Sequence, residues 1–281
     1  IRSIIGPGDE ALIPEPSFVC YSPCVALAGG TPVPIVTKAE DEFRLTPQAL
    51  KEKITDKTKL LIFPFPNNPT GGVMLRDDLE KIADLLRDTN IMVLSDEIYG
   101  ELTYGVKHTS IAEIDGMYER TVIVNGFSKT YAMTGWRLGY ACGPREIIAS
   151  MTKIHQYAIM STPTTSQYAA IEALKNGDDD ILMMREEYNR RRKVMVHGFR
   201  QMGLDCFEPR GAFYVFPGIK KTGLTSADFA EKLLYEEKVA VVPGNAFGKS
   251  GEGFIRCSYA YSLDNINEAL RRIASFVKKY V

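Results

Sequence analysis

The stretch Asn125-Gly126-Phe127-Ser128-Lys129-Thr130-Tyr131-Ala132-Met133-Thr134-Gly135-Trp136-Arg137 sets one lysine between an apolar run and an arginine. The run is Thr121-Val122-Ile123-Val124, which reads as a buried strand. Lys129 then leaves the carboxyl end of a sheet, where open α/β sheets collect their ligands. An amine held there, partly desolvated and beside other cations, has a lowered pKa and can form a Schiff base with a carbonyl. Eight residues on, Arg137 offers a guanidinium fork suited to a phosphate. A lysine that condenses with an aldehyde and an arginine that holds a phosphate together point to pyridoxal 5′-phosphate. Taken singly, each is more ordinary as a solvated surface charge, as most Lys and Arg are.

Two motifs upstream weigh against that ordinary reading. Pro66-Asn67-Asn68-Pro69-Thr70-Gly71 follows the apolar run Leu60-Leu61-Ile62-Phe63, and Ser95-Asp96-Glu97-Ile98-Tyr99 follows Ile91-Met92-Val93-Leu94. In each case the polar group comes just after a short apolar strand. Strand ends that deliver an amide, a carboxylate and an amine to one edge of a sheet make a site.

The same alternation runs along the chain. Short apolar runs occur at residues 11–14, 32–36, 60–63, 91–94, 121–124 and 139–142. Helical stretches lie between them at 46–54, which opens with a Thr cap and a Pro in the first turn, and at 76–88. Pro144 opens another helix toward Tyr157, and Ser161-Thr162-Pro163 starts the next. This pattern predicts an α/β fold with a mostly parallel, helix-covered sheet. After Lys175-Asn176-Gly177-Asp178-Asp179-Asp180 the character changes to a long charged helix over 181–202 and then to fewer, more separated strands. Residues 1–180 are therefore expected to form the large domain. Residues 181–281 are expected to form a smaller α+β domain that carries Arg256 back to the cleft.

Composition narrows the function classes. With 281 residues and 45% hydrophobic content, the chain can bury a sizeable core. A net charge of -1 gives no footprint for nucleic acid or an anionic membrane. The basic run Arg190-Arg191-Arg192-Lys193 follows Glu186 and Glu187 and reads as an exposed helix face. No apolar stretch is long enough to span a bilayer. Cys20, Cys24, Cys142, Cys206 and Cys257 show no metal spacing, and an odd count without a disulfide framework suggests reduced thiols in a cytoplasm. His108, His155 and His197 are scattered and suggest neither a zinc site nor a Ser-His-Asp arrangement.

As a set, these motifs resemble the class I/II aminotransferases of the fold-type I pyridoxal-phosphate family, such as the bacterial aspartate, aromatic and acetyl-diaminopimelate aminotransferases. The resemblance covers essentially the whole chain. It implies that Lys129 is both the Schiff-base anchor and the general base. It matches Asp96 to the carboxylate that keeps the pyridine nitrogen protonated and so makes the ring an electron sink. Asn68 and Tyr99 match the pair that hydrogen-bonds the cofactor's phenolic oxygen. Apart from the family, they read as turn chemistry and a core aromatic. Phe18, in Pro16-Ser17-Phe18-Val19-Cys20-Tyr21, matches the ring that stacks on the pyridine. Ser128 and Arg137 match phosphate contacts. Arg256, in Gly253-Phe254-Ile255-Arg256-Cys257-Ser258-Tyr259-Ala260, matches the clamp on the substrate α-carboxylate, the buried anion that a lone Arg among apolar residues requires. The segments 211–217 and 242–248 also match the family and read mainly as scaffold.

The chain departs from the family pattern in two places. Many relatives carry a serine where Gly126 stands. The chain also opens at a point that lies inside the large domain of relatives. The expectation is therefore that an N-terminal part is absent, together with a phosphate-cradling turn and a tyrosine that reaches the partner subunit. The activity implied is transfer of an amino group from an L-amino acid to a 2-oxo acid, 2-oxoglutarate being the expected acceptor, by ping-pong chemistry in a homodimer. The same constellation serves carbon-sulfur β-lyases and cyclopropane-forming synthases. A catalytically silent regulator on this fold is a further alternative, although it would have no need of Lys129, Asp96 and Arg256.

Overall fold

The computed structural model describes residues 1–281. The six apolar runs become β1 (Glu10–Glu15), β2 (Thr31–Val36), β3 (Thr58–Phe63), β4 (Met92–Asp96), β5 (Thr121–Gly126) and β6 (Gly139–Cys142). They form one sheet in the order β2-β1-β3-β4-β5-β6. Every pairing is parallel except the last, where β6 runs antiparallel to β5 with Gly126 opposite Gly139. The parallel strands therefore present their carboxyl ends at one edge.

Helices cover both faces, which is why these strands read as nearly continuous apolar runs. In chain order they are α1 (Tyr21–Leu27), α2 (Pro47–Lys51), α3 (Arg76–Leu86), α4 (Phe127–Thr130), α5 (Arg145–Ala158) and α6 (Thr164–Asn176). The two-residue period of a strand divides the core. Leu12, Leu61, Phe63 and Val93 pack on one side with Ile82 and Leu86 of α3, while Ala11, Ile13, Leu60 and Ile62 pack on the other with Val25 of α1. Thr46 caps α2 as expected, accepting from the Ala49 N–H at 3.2 Å. That helix ends at Lys51, short of the predicted residue 54, because the chain turns and packs Ile54 against the core.

The long helix α7 (Asp178–Gln201) leads to β7 (Tyr214–Val215), α8 (Ser226–Glu237), β8 (Val242–Pro243), β9 (Ile255–Ser258) and α9 (Leu263–Val277). The three strands make a second, antiparallel sheet in the order β7-β9-β8. α9 shows the amphipathic stripe of a surface helix, with Ile266, Leu270, Ile273 and Val277 buried against Phe199, Val215, Phe229 and Ile255.

The basic run on α7 departs from its expected exposed face. Arg190 is exposed and Arg191 half-buried over the Tyr188 ring, and both pair with Glu187. The helical turn brings Arg192 inward, where it is buried with donor bonds to Glu208 Oε1 at 2.8 Å, the Pro209 carbonyl at 2.9 Å and Asn189 Oδ1. Burial is tolerated because the guanidinium is paired and lies over the Tyr104 ring. Arg192 thereby fixes the 208–210 segment that meets the Pro66–Gly72 loop.

No helix is long and apolar enough to cross a membrane. All five cysteines are free thiols.

Candidate active site

The loop after β3 orders itself. Asn67 Oδ1 accepts from the Thr70 N–H at 3.2 Å and from Thr70 Oγ1 at 3.0 Å, and Thr70 Oγ1 accepts from the Gly72 N–H at 3.0 Å. With Asn67 engaged in its own turn, Asn68 is left for the site, where it is buried and its Oδ1 accepts from Arg256 Nη1 at 2.9 Å. Gly71 is required here. Its φ is +73°, and a Cβ would sit 2.4 Å from Pro209 Cβ and 2.8 Å from the Gly211 carbonyl. The Gly71 carbonyl in turn accepts from the N–H groups of Arg210 and Gly211. The loop that positions Asn68 is thus tied to the segment ahead of β7.

At the end of β4, Asp96 Oδ2 accepts from the Tyr21 hydroxyl at 2.7 Å and Oδ1 accepts from the Ile98 N–H at 3.2 Å. Burial raises the Asp96 pKa, the Glu97 charge adds to the rise, and the two donors oppose it. Tyr21 was not singled out from the sequence, although it lies in the same short segment as Phe18. Phe18 meets the Tyr21 ring edge-on at 6.2 Å and is 42% exposed, so part of it is left for a ligand. Tyr99 is buried, and its hydroxyl meets that of Tyr214 at 3.1 Å. Burial, followed by the neighbouring Tyr214, pushes the Tyr99 pKa far up.

After β5, the single turn α4 carries Lys129. The amine is half-buried and lies 5.6 Å from the centroid of the Phe213 ring. Burial lowers its pKa first, and the charges of Arg137 and Arg256 lower it further. Ser128 is half-buried, and its carbonyl accepts from Thr134 Oγ1 at 2.8 Å. Arg137 is exposed, with φ +53° and one bond from Nη1 to the Thr134 carbonyl at 2.9 Å. Close approach explains Gly126: a Cβ there would meet Gly139 Cα and the Leu138 carbonyl, each at 3.0 Å.

Arg256, on β9, is clamped. Its guanidinium lies 4.5 Å from the Tyr214 ring centroid and 4.8 Å from that of Phe247. Nη1 holds Asn68, while the buried Nε has no partner. A buried guanidinium N–H without an acceptor is costly, and a carboxylate received side-on would satisfy it. Lys129, Arg137 and Arg256 thus converge with no carboxylate paired to any of them. Such a cleft suits an anionic cofactor together with a carboxylate substrate. The donor set fits pyridoxal 5′-phosphate, since it offers an amine, a buried carboxylate for the ring nitrogen, an open aromatic face and cations for the anions. Phe213, Tyr214 and Phe247 came from segments read as scaffold. In sequence their rings look like core, and only the return of β7 and β9 to the cleft gives them a role.

The family of aminotransferases of class I and II matches residues 1–273 of the chain. A putative aminotransferase of Bacillus subtilis is 50% identical over 99% of this chain and 72% of its own length. The aspartate aminotransferase of Pyrococcus abyssi is 49% identical over 99% and 72%. A solved aromatic aminotransferase of Pyrococcus horikoshii superposes with a TM-score of 0.97 at 49% identity, covering 99% of this chain and 75% of that one. Likeness of this extent, together with a cleft that brings an amine, a buried carboxylate and an arginine to one sheet edge, makes the chain a member of the class I and II aminotransferases, a family of pyridoxal-phosphate enzymes.

Proposed function

We propose that the protein moves the amino group of an L-amino acid to 2-oxoglutarate at this cleft, with Lys129 as the reacting amine. The observation that carries the reading is the half-buried Lys129 amine set near the unpaired Arg137 and Arg256, the buried Nε of Arg256 lacking an acceptor. Bound pyridoxal 5′-phosphate supplies an aldehyde and an electron-withdrawing ring. Lys129, which holds its proton less tightly than an ordinary lysine, would serve as the anchoring amine and then as the base that moves the substrate Cα proton. Asp96, oriented by Tyr21, would pair with the ring nitrogen and keep it protonated. Asn68 and Tyr99 would hold the cofactor's phenolic oxygen, Phe18 would lie against its ring, and Ser128 and Arg137 would hold its phosphate. Arg256 binds the α-carboxylate shared by amino acids and 2-oxo acids, so one clamp serves both halves of a ping-pong reaction.

Residues 1–180 form the cofactor domain in this reading, and residues 181–281 the domain that brings Arg256 to it. The enzyme works as a homodimer in a reducing cytoplasm, in keeping with its free thiols. The test is borohydride reduction of the cofactor-loaded protein followed by peptide mapping, with a panel of L-amino acids assayed against 2-oxoglutarate. Label on Lys129 and turnover with 2-oxoglutarate are expected. Label on any other lysine sinks the assignment.

A further inference from the structure

Asp96 and Glu97 are consecutive carboxylates at the end of β4, and extended backbone sends them to opposite sides. Asp96 faces the cleft. Glu97 faces away and is only 5% exposed. Its Oε1 accepts from Ser95 Oγ at 2.8 Å and Ser110 Oγ at 2.6 Å, and its Oε2 meets His108 Nε2 at 2.9 Å. Its own N–H donates to the Val124 carbonyl of β5 at 2.9 Å. His108 seats against Gly100, where a Cβ would lie 3.2 Å from its Cδ2, and Glu113 Oε1 fixes the Ser110 N–H at 3.0 Å. A carboxylate is buried at this expense only when fully paired, and nothing in the transfer reaction as read above uses it.

We propose that Glu97 and His108 are a positioning pair for Asp96: they lock the end of β4, and the charge of Glu97, balanced by His108, sets how strongly Asp96 holds a proton. Burial works against ionised Glu97, but His108 and the two serines hold its pKa below the usual carboxylate value. It therefore remains a fixed negative charge one residue from Asp96. Imidazolium at His108 compensates that charge, and neutral imidazole does not. The other groups facing this pair of carboxylates are Tyr21 and Cys20 from α1 and Tyr99 on the Asp96 side, with Tyr140 of β6 on the Glu97 side. None of these is a cation, so the imidazole of His108, at 2.9 Å from Oε2, is the group placed to balance Glu97.

The geometry stands without the cofactor, while its use in catalysis rests on the aminotransferase reading. The experiment separates the two. Asp96 is titrated by carbon-13 NMR of its carboxyl group in the cofactor-free chain, for parent, Glu97→Gln and His108→Asn, and pyridoxal 5′-phosphate binding is then followed by fluorescence. Glu97→Gln removes a like charge and is expected to lower the Asp96 midpoint. His108→Asn removes the group able to compensate Glu97 and is expected to raise it. An Asp96 midpoint that stays fixed in both variants overturns the inference, even where cofactor binds. Midpoints that move in a parent that binds no pyridoxal 5′-phosphate support the coupling and overturn the functional reading instead. If Glu97→Gln fails to fold, His108→Asn, at the open edge of the network, decides the matter alone.

Discussion

Lys129 and Arg256 are the two cations that meet substrate in this reading, and the protein holds them in opposite ways. Lys129 rides on one turn of helix beside an aromatic ring, and its neighbours in charge are Arg137 and Arg256. Arg256 is gripped between two rings and tied to Asn68. A group that must trade protons needs a charge that is easily lost, and the arrangement around Lys129 supplies that. A group that must recognise needs a fixed charge in a fixed orientation. The six-stranded sheet contributes reactivity, and the small antiparallel sheet contributes recognition.

The hardest test of this contrast is to remove each cation. Lys129→Ala is expected to reduce transfer by on the order of 10⁴-fold or more, because anchor and base vanish together. The cofactor-free protein is expected to keep its melting temperature or gain slightly at neutral pH. The folded-state pKa of Lys129 lies below its unfolded value, so at neutral pH its charge destabilises the fold, and stability from this group returns only as pH rises toward the ordinary lysine value. Arg256→Ala is expected to lower the melting temperature through lost ring contacts and the lost Asn68 bond. Equal melting losses in the two variants would break the contrast.

Asp96→Asn comes next in size. Losing the carboxylate is expected to slow single-turnover transfer by about 10²- to 10⁴-fold. Stability should move the other way. The Asp96 pKa is raised on folding, so its contribution is most favourable below the ordinary aspartate value and is lost as pH climbs to the raised one. Above the raised value the penalty is fully present, and there the Asn variant, which can still accept from Tyr21, is expected to melt higher than the parent in the absence of cofactor. Calorimetry at pH 4 and pH 7 checks the sign, since the gain should shrink at the lower pH.

The sheet, its parallel sense and the strand-end positions of Asn68, Asp96 and Lys129 were legible because they follow from period and punctuation, which are local. What the sequence withheld depends on distance. Tyr21 reaches Asp96 across 75 positions, and Arg256 reaches Asn68 across 188. Pairings of that kind are set by how strands stack, and no spacing rule encodes them. Phe213, Tyr214 and Phe247 are apolar in composition and polarising in position, so pattern alone assigns them to core. Arg192 failed for a related reason. A basic run reads as solvent-facing, while the helical turn sends its third arginine to a buried acceptor set that the chain supplies sixteen and seventeen positions later.

On the recognition side, Arg256→Lys keeps the charge and loses the fork. All amino-acid and 2-oxo-acid substrates should weaken together by about 1–3 kcal/mol, the range of a lost charge-assisted bond, while cofactor affinity stays close to that of the parent. KM across the substrate panel and a cofactor titration measure the two effects separately. Weakening confined to dicarboxylic substrates would move Arg256 from the α-carboxylate to side-chain recognition.

The smallest effect sharpens the comparison most, because it divides one residue between both sides. Tyr214 shares a hydrogen bond between hydroxyls with Tyr99 and sets its ring against the Arg256 guanidinium. Tyr214→Phe keeps the face, so substrate KM is expected to stay within about twofold, the effect of a few tenths of a kcal/mol. The lost hydroxyl leaves buried Tyr99 without its partner at about 1 kcal/mol in stability. It also removes the second of the influences that raise the Tyr99 pKa, so Tyr99 should ionise at lower pH than in the parent, although burial still keeps it above an ordinary tyrosine. Ultraviolet difference titration reads that change. A Phe variant with impaired substrate binding and an unaltered Tyr99 titration would mean that Arg256 depends on the hydroxyl rather than the ring.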